Sequence, residues 1–334
     1  MARIVSSRRK LNASFSEIVG FKAGLALNEV QLAEHVDEEF QELILGDPDE
    51  GVTLRGEDAE EIVSQLLFGV GRTPIRHRVN PGMEVFRGAL KNPDGKRLYN
   101  KFQQILFEVL SPQTGGNKPF DFTPVIERAR AEMGDDGLFM ALAYYDYFQI
   151  SFEQSLWNRV SRIEWSNVEE LNRLFDSESL TTNHGSYLDQ RFIDYLQRNF
   201  DKIDAMNWRK FEGLTCEFFE RAGYQVEISA GRNDGGVDAR VWSDSSEKDG
   251  PPTMLVQCKR QRHKVEKVVV KGLWADVVEE KAESGLIVTT SELSPGAEKV
   301  CSARAYPIQS ADREMIKQWL KSMRTPSTGV FLGL

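Results

Sequence analysis

Between Asn233 and Lys259 the sequence places polar side chains where a strand of a soluble core normally carries apolar ones: NDGGVDARVW, a polar interruption from Ser243 to Thr253, then MLVQCKR. The pattern predicts two strands flanking a loop. Side chains alternate across a strand, so Gln257 and Lys259 leave one face together with Leu255, while Cys258, Val256 and Met254 leave the other. An amide and an ammonium therefore emerge side by side. In the first strand the same alternation separates Val237, Ala239 and Val241 from Asp238 and Arg240, and Gly235 and Gly236 permit a tight backbone path before Asp238. A carboxylate can then stand opposite the Gln/Lys pair. Oxygen ligands beside a lysine are what a hard cation and an activated water need. The same spacing also suits a plain surface hairpin, and on spacing alone the two readings stand level.

The order GG-V-D, then an apolar strand ending Q-C-K-R, then LIVTTS followed by a Ser-Pro-Gly-Ala helix start, resembles the catalytic domain of Mrr-type restriction endonucleases. That family is a branch of the PD-(D/E)xK nucleases in which Gln replaces the second acidic residue. The resemblance covers roughly Asn207 to Leu320. It implies an α/β nuclease-like domain, a mixed central sheet flanked by helices, acting on DNA with Mg2+ or Mn2+. It makes Asp238, Gln257 and the backbone carbonyl of Cys258 the metal ligands, and Lys259 the residue that activates water. It adds Glu212, which follows an aromatic on the first helix as Lys210-Phe211-Glu212, as a fourth catalytic residue, and Asp234 as a turn-shaping one. Gln257 removes one formal charge from the metal site, so binding without DNA is expected to be weak. At the far end YPIQSAD departs from the family's isoleucine-aspartate-glycine turn. The implied function is restriction or defence against foreign DNA. The same fold also admits an inactive nucleic-acid- or partner-binding regulator, or an RNase.

A chain of 334 residues suits two domains, here expected as a mostly helical region 1–204 and the nuclease-like part 205–334. The short polar segment Asp201 to Met206 marks the expected boundary, and the absence of a Pro/Gly-rich linker implies contact between the halves. Net charge is −9 with a pI near 5.2, awkward for a partner of a polyanion, so local charge matters more. One basic stretch runs from Arg72 to Lys101. Another follows the lysine motif, where Arg260, Arg262 and Lys264 are the candidates for contacting nucleic acid. Cys216, Cys258 and Cys301 fit no metal spacing and no disulfide framework, which leads us to expect a reducing cytoplasm. Glu17 and Lys22 interrupt what would be the apolar core of an export signal, and no apolar run is long enough to span a membrane.

In the first 204 residues apolar spacing predicts helices from Asn28 to Leu45, from near Glu57 to Gly69, across Leu98 to Val109, and from Thr123-Pro124 to about Met133. Further helices are expected over the apolar Gly137 to Phe148, after caps at Ser151 and Ser166, and from Tyr187 to Phe200. No segment alternates like a strand. His35, His77 and His184 lack metal spacing, the Tyr144, Tyr145, Tyr147 and Phe148 cluster fits core packing, and Glu217 and Glu220 read as surface residues. This region is expected to choose the target, control the nuclease or dock a protein partner. Cutting both strands implies at least a transient homodimer.

Overall fold

A computed structural model describes residues 3–113, 121–157, 165–231, 236–243 and 250–324. Asn233, Asp234 and Gly235, with the turn-shaping part expected of Asp234, lie outside the described residues.

The first part is mostly helical: β1 (Arg3–Ser7), α1 (Arg8–Ala23), β2 (Leu25–Ala26), α2 (Glu29–Glu34), α3 (Glu38–Ile44), β3 (Gly51–Arg55), α4 (Gly56–Gly69), α5 (Pro81–Ala89), α6 (Gly95–Leu110), α7 (Thr123–Gln154), β4 (Glu169–Glu170), α8 (Arg173–Asp176) and α9 (Gln190–Arg198). The second part is α10 (Trp208–Arg221), β5 (Gln225–Ile228), β6 (Ala239–Trp242), β7 (Met254–Lys259), α11 (Lys267–Glu279), β8 (Ser284–Thr289), α12 (Pro295–Arg304), β9 (Ile308–Ala311) and α13 (Arg313–Met323).

Strands β5 to β9 form one sheet in sequence order, β5, β6 and β7 antiparallel and β7, β8 and β9 parallel. The mixture follows from the connections. Short links join the first strands, whereas α11 and α12 carry the chain across between the parallel ones. Both faces are covered. Leu255, Ile287 and Ile308 pack with Val270, Leu273 and Val277 of α11 and Ala297 of α12, while their neighbours Val256, Val288 and Ala311 pack on the opposite side with Phe211 of α10 and Leu320 of α13. Full burial of each such side chain contributes about 1.5–3 kcal/mol, so this alternation sets the register firmly.

Several elements differ from expectation for local reasons. The helix expected from Asn28 to Leu45 breaks at His35–Asp37, where His35 turns inward and Asp37 begins α3. Ser151 lies inside α7; this element is two helices joined at Gly134, whose φ 65° and ψ −143° are not helical, so the helices expected to about Met133 and over Gly137 to Phe148 are both present, the second continuing through Ser151 to Gln154. Ser166 opens no helix, and the chain there instead reaches the short bridge of β4 with β2. Two small sheets, β1 with β3 and β2 with β4, stand where no strand was expected. Tyr144, Tyr145 and Phe148 pack on Phe122, which matches the core reading of that cluster. Among the described residues no helix is long and apolar enough to cross a membrane.

The expected boundary is packed. Ile203 and Met206 are fully buried in a core that runs without interruption from Leu11 of α1 to Met323 of α13. Asp204 accepts two bonds from Arg313, each 3.0 Å, and Asn207 donates its N–H to the Leu174 carbonyl at 3.0 Å. Contact between the halves is thus extensive.

His35 is wedged between Gly69, where an added Cβ would lie 2.6 Å from the ring, and the edge of Tyr195. Burial lowers its pKa from 6.5 to about 4, with Lys202 and Arg76 pushing the same way and Glu34 opposing. The unfolded chain takes up this proton near pH 6.5 and the folded one only near 4. The stability held by neutral His35 is therefore complete above pH 6.5 and declines as pH falls towards 4, by about 2 kcal/mol at pH 5. Denaturant titrations of wild type and His35→Gln between pH 7.5 and 5 should show a shallower decline in the variant. Parallel declines would mean that His35 is not the group responsible.

Candidate active site

The β6–β7 pair brings Asp238 and Gln257 together. Ala239 stands opposite Val256, and the Asp238 N–H donates to that same Val256 carbonyl at 2.8 Å, so Asp238 enters β6 against the residue that precedes Gln257. Both are buried. The Cys258 N–H donates to Asp238 Oδ2 at 2.6 Å, so one carboxylate oxygen is fixed against the next strand. Gly236 has φ 98°, and its carbonyl accepts from Gln257 Nε2 at 2.7 Å. That bond decides the orientation of the amide, since the reverse would set oxygen against oxygen. Gln257 Oε1 is then buried with no hydrogen-bond partner among the described residues.

A buried oxygen without a donor is unfavourable by about 1–3 kcal/mol unless something else satisfies it. Next to a carboxylate, the group that fits is a hard cation. Among the described residues no cluster of three His, Cys, Asp or Glu suits a metal. A cation here would be held by Asp238, the Gln257 amide oxygen and a backbone carbonyl rather than by a ring of acids, which suits Mg2+ or Mn2+ better than a softer metal.

Glu212 reaches the same place from α10, whose start is fixed by Asn207 accepting from the Arg209 N–H at 2.8 Å. It is buried, pairs with Arg209 at 2.6 Å and shares a hydrogen bond with Asp238. Burial first, and then the Asp238 carboxylate, raise its pKa, and Arg209 pulls it back. Lys259 ends β7 two residues beyond Gln257 and so leaves the same face, half-buried. Among the described residues its ammonium forms no ion pair, while its carbonyl is fixed by Thr289 Oγ1 at 2.8 Å. Cys258 leaves the face opposite Lys259, toward α10, its Sγ 3.5 Å from Thr215 Oγ1, and burial raises its thiol pKa well above normal, unlike that of a nucleophile.

The basic candidates divide. Arg260 turns inward and donates to the Asp204 carbonyl. Lys264 pairs with Glu292 at 2.9 Å, an exposed pair, and Arg262 is exposed with no ion pair among the described residues. In the earlier basic stretch most charges are answered locally: Arg72 by Glu153, Arg76 by Asp37, Arg78 by Glu60, Arg87 by Glu84, Arg97 by Asp94 and Lys101 by Glu132.

Two residues escaped the sequence reading. Glu217, expected at the surface, is 2% exposed, and its Oε2 accepts the N–H groups of Ser186, Tyr187 and Leu188 at 2.8, 2.7 and 3.2 Å. Arg209 holds Glu212. Neither carries a motif, since the partners of both lie in segments distant along the chain or across a turn.

Residues 203–320 match the model of a family described as restriction endonuclease. An uncharacterized protein, y4cE of Sinorhizobium fredii (strain NBRC 101917 / NGR234), is 26% identical over 132 residues, which is 39% of this chain and 34% of that protein. The chain thus spans about a third of that relative's length. Among solved structures, the MspJI restriction endonuclease in complex with a 27-mer oligonucleotide is 21% identical, covering 40% of this chain and 30% of that one, with a TM-score of 0.28. The last likeness is too slight to argue from.

Gly236 joins backbone strain to site geometry. An added Cβ would lie 2.9 Å from Gln257 Nε2, at a φ that side chains rarely adopt. Gly236→Ala is expected to cost about 1–3 kcal/mol in chemical denaturation and to weaken Mn2+ binding by displacing the amide. Unchanged stability and binding would show that the glycine is dispensable.

Proposed function

We propose that the chain is a metal-dependent endonuclease that hydrolyses phosphodiester bonds of DNA in restriction or defence against foreign DNA. Residues 205–334 cut, and residues 1–204 choose the target or control when cutting occurs. The observation that carries the reading is the unpartnered Gln257 oxygen beside Asp238, on the strand that ends in Lys259, within a segment matching a restriction endonuclease model.

A bound Mg2+ or Mn2+ would supply Lewis acidity toward the scissile phosphate. Asp238, the Gln257 amide oxygen and the Cys258 carbonyl would hold it. Lys259 orients the attacking water and offsets the charge that develops on the phosphate oxygens during in-line displacement. Glu212 would accept a hydrogen bond from water on the Asp238 side. Two strands need two such sites, so a homodimer, at least transient, accompanies cleavage, in the cytoplasm where the three free thiols would stay reduced.

Plasmid digestion with Mg2+ or Mn2+, alongside labelled single strands and RNA, tests the reading; exclusive cleavage of RNA would replace it. Lys259→Ala should abolish cleavage with fold and DNA affinity nearly intact, and wild-type turnover in that variant would sink the assignment. Gln257→Glu adds a charge and should keep or strengthen Mn2+ binding in calorimetry, whereas weaker binding would remove Gln257 from the ligands.

DNA contact by Arg262 and Lys264 is also part of this proposal. Arg262→Ala should lower the salt slope of binding by about one unit. Lys264→Ala should change it less, because Glu292 already screens that ammonium. An unchanged slope in the double variant would place the DNA path elsewhere.

A further inference from the structure

Arg209 stands one turn before Glu212 on α10, its side chain 12% exposed. The two arms of its guanidinium do different work. Nη1 donates to Glu212 Oε2 at 2.6 Å, and Nη2 donates to the main-chain carbonyl of Ser229 at 2.6 Å. Ser229 follows β5 and is joined twice to the segment entering β6: its N–H donates to the Asp238 carbonyl at 2.9 Å, and its hydroxyl to the Val237 carbonyl at 2.5 Å. One rigid planar group therefore spans the helix carrying Glu212 and the turn carrying Asp238. Gly231 closes the turn over it, since a Cβ there would meet both Arg209 and Trp208 at 3.2 Å.

We propose that Arg209 is the positioning residue of this site: its forked guanidinium sets Glu212 against the Asp238 main chain and supplies the positive charge that the two carboxylates need until a cation binds. Its effect on cleavage rests on the nuclease reading; its effects on cation binding and on the turn do not. Arginine is required on geometric grounds. A lysine ammonium keeps the charge but is a single point, unable to reach Glu212 and Ser229 along two fixed directions. Arg209 and a divalent cation are also alternative partners for the same negative charge. Removing Arg209 should tighten cation binding while spoiling the aim of the carboxylates, and a residue with only a structural part would not move the two in opposite directions.

The test compares full-length wild type, Arg209→Met and Arg209→Lys. Mn2+ alone is titrated by calorimetry, exchange of the Ser229 amide is followed by NMR, and kcat and KM are measured on plasmid DNA. Arg209→Met is expected to bind Mn2+ about tenfold more tightly, since a like charge has left the site. Its Ser229 amide should exchange faster, and kcat should fall about 10- to 100-fold with KM unchanged, the usual loss when a residue orienting ligands is removed. Arg209→Lys should keep wild-type Mn2+ affinity yet show the faster exchange and the lower kcat. Unchanged or weaker Mn2+ binding in Arg209→Met overturns the proposal, as does full restoration of exchange and kcat by lysine. If Arg209→Met does not fold, the lysine variant decides by the same exchange and kcat criteria. If wild type cuts no nucleic acid, the nuclease reading fails alone, and the calorimetric and exchange results still decide the part played by Arg209.

Discussion

The hydrogen bond from the Cys258 amide to the Asp238 carboxylate fixes the geometry of the candidate site, because it joins a side chain before β6 to the backbone of β7 at the point where the strands part. Charge-assisted bonds of this kind are about twice as strong as neutral ones, and this one lies where water is largely excluded. With Asp238 held against Val256 and Cys258, Gln257 lies on β7 between those two residues, and the Gly236 carbonyl turns its amide so that the oxygen is the atom left over. Lys259 follows on the same face by strand periodicity alone. The sheet supplies the rigidity: β7 lies between β6 and β8, and its apolar neighbours are buried on both faces.

Helix α10 connects this geometry to the rest of the chain. One end carries Glu212 and Arg209 at the site. The other carries Glu217, which gathers the amides of residues 186–188 and pairs with Arg221, itself bonded to Gln190 and the Met323 carbonyl. Next to Arg209, Lys210 donates to the Ser179 carbonyl and lies over the Phe192 ring. A helix so placed belongs to both halves. Displacement of α9 or of the 177–188 loop would move the helix that carries Glu212, which gives the first 204 residues a physical route to the site without a separate linker. The Asp204 clamp adds a second route, since Arg260, one residue beyond Lys259, donates to its carbonyl while Arg313 holds its carboxylate.

Period-two alternation made β6 and β7 legible, because it depends on neighbours within a few residues, but it fails just before β6, where Val237 packs on the α11 side while Ala239 and Val241 pack on the α10 side. Capping was equally local: Asn28, Asn207 and Ser294 all cap as their side chains suggest. What sequence could not reveal depends on distant partners. Strands β1 and β3 pair across some fifty residues of chain and are short and half-exposed, so neither alternates enough to stand out. Glu217 looks like any helix-surface acid until the loop before α9 folds over it. Arg260 reads as a phosphate ligand from its place beside Lys259, and only the packed junction shows where its guanidinium goes.

The balance of charge explains why an amide, not a third acid, stands at 257. Glu212 and Asp238 are both buried and close enough to share a hydrogen bond, and burial already raises the Glu212 pKa. The proton in that hydrogen bond leaves the pair one negative charge, which Arg209 offsets. A carboxylate at 257 would place a further negative charge against the Gly236 carbonyl, replacing a donated bond of 2.7 Å with a repulsion between oxygens. Gln257 avoids this by using one end of its amide to satisfy the backbone and leaving the other as a neutral oxygen ligand. The site then holds together without a cation, at the expense of cation affinity. Stronger binding has to come from outside the chain, and a phosphate group entering with substrate is the natural source of the missing oxygen ligands and charge.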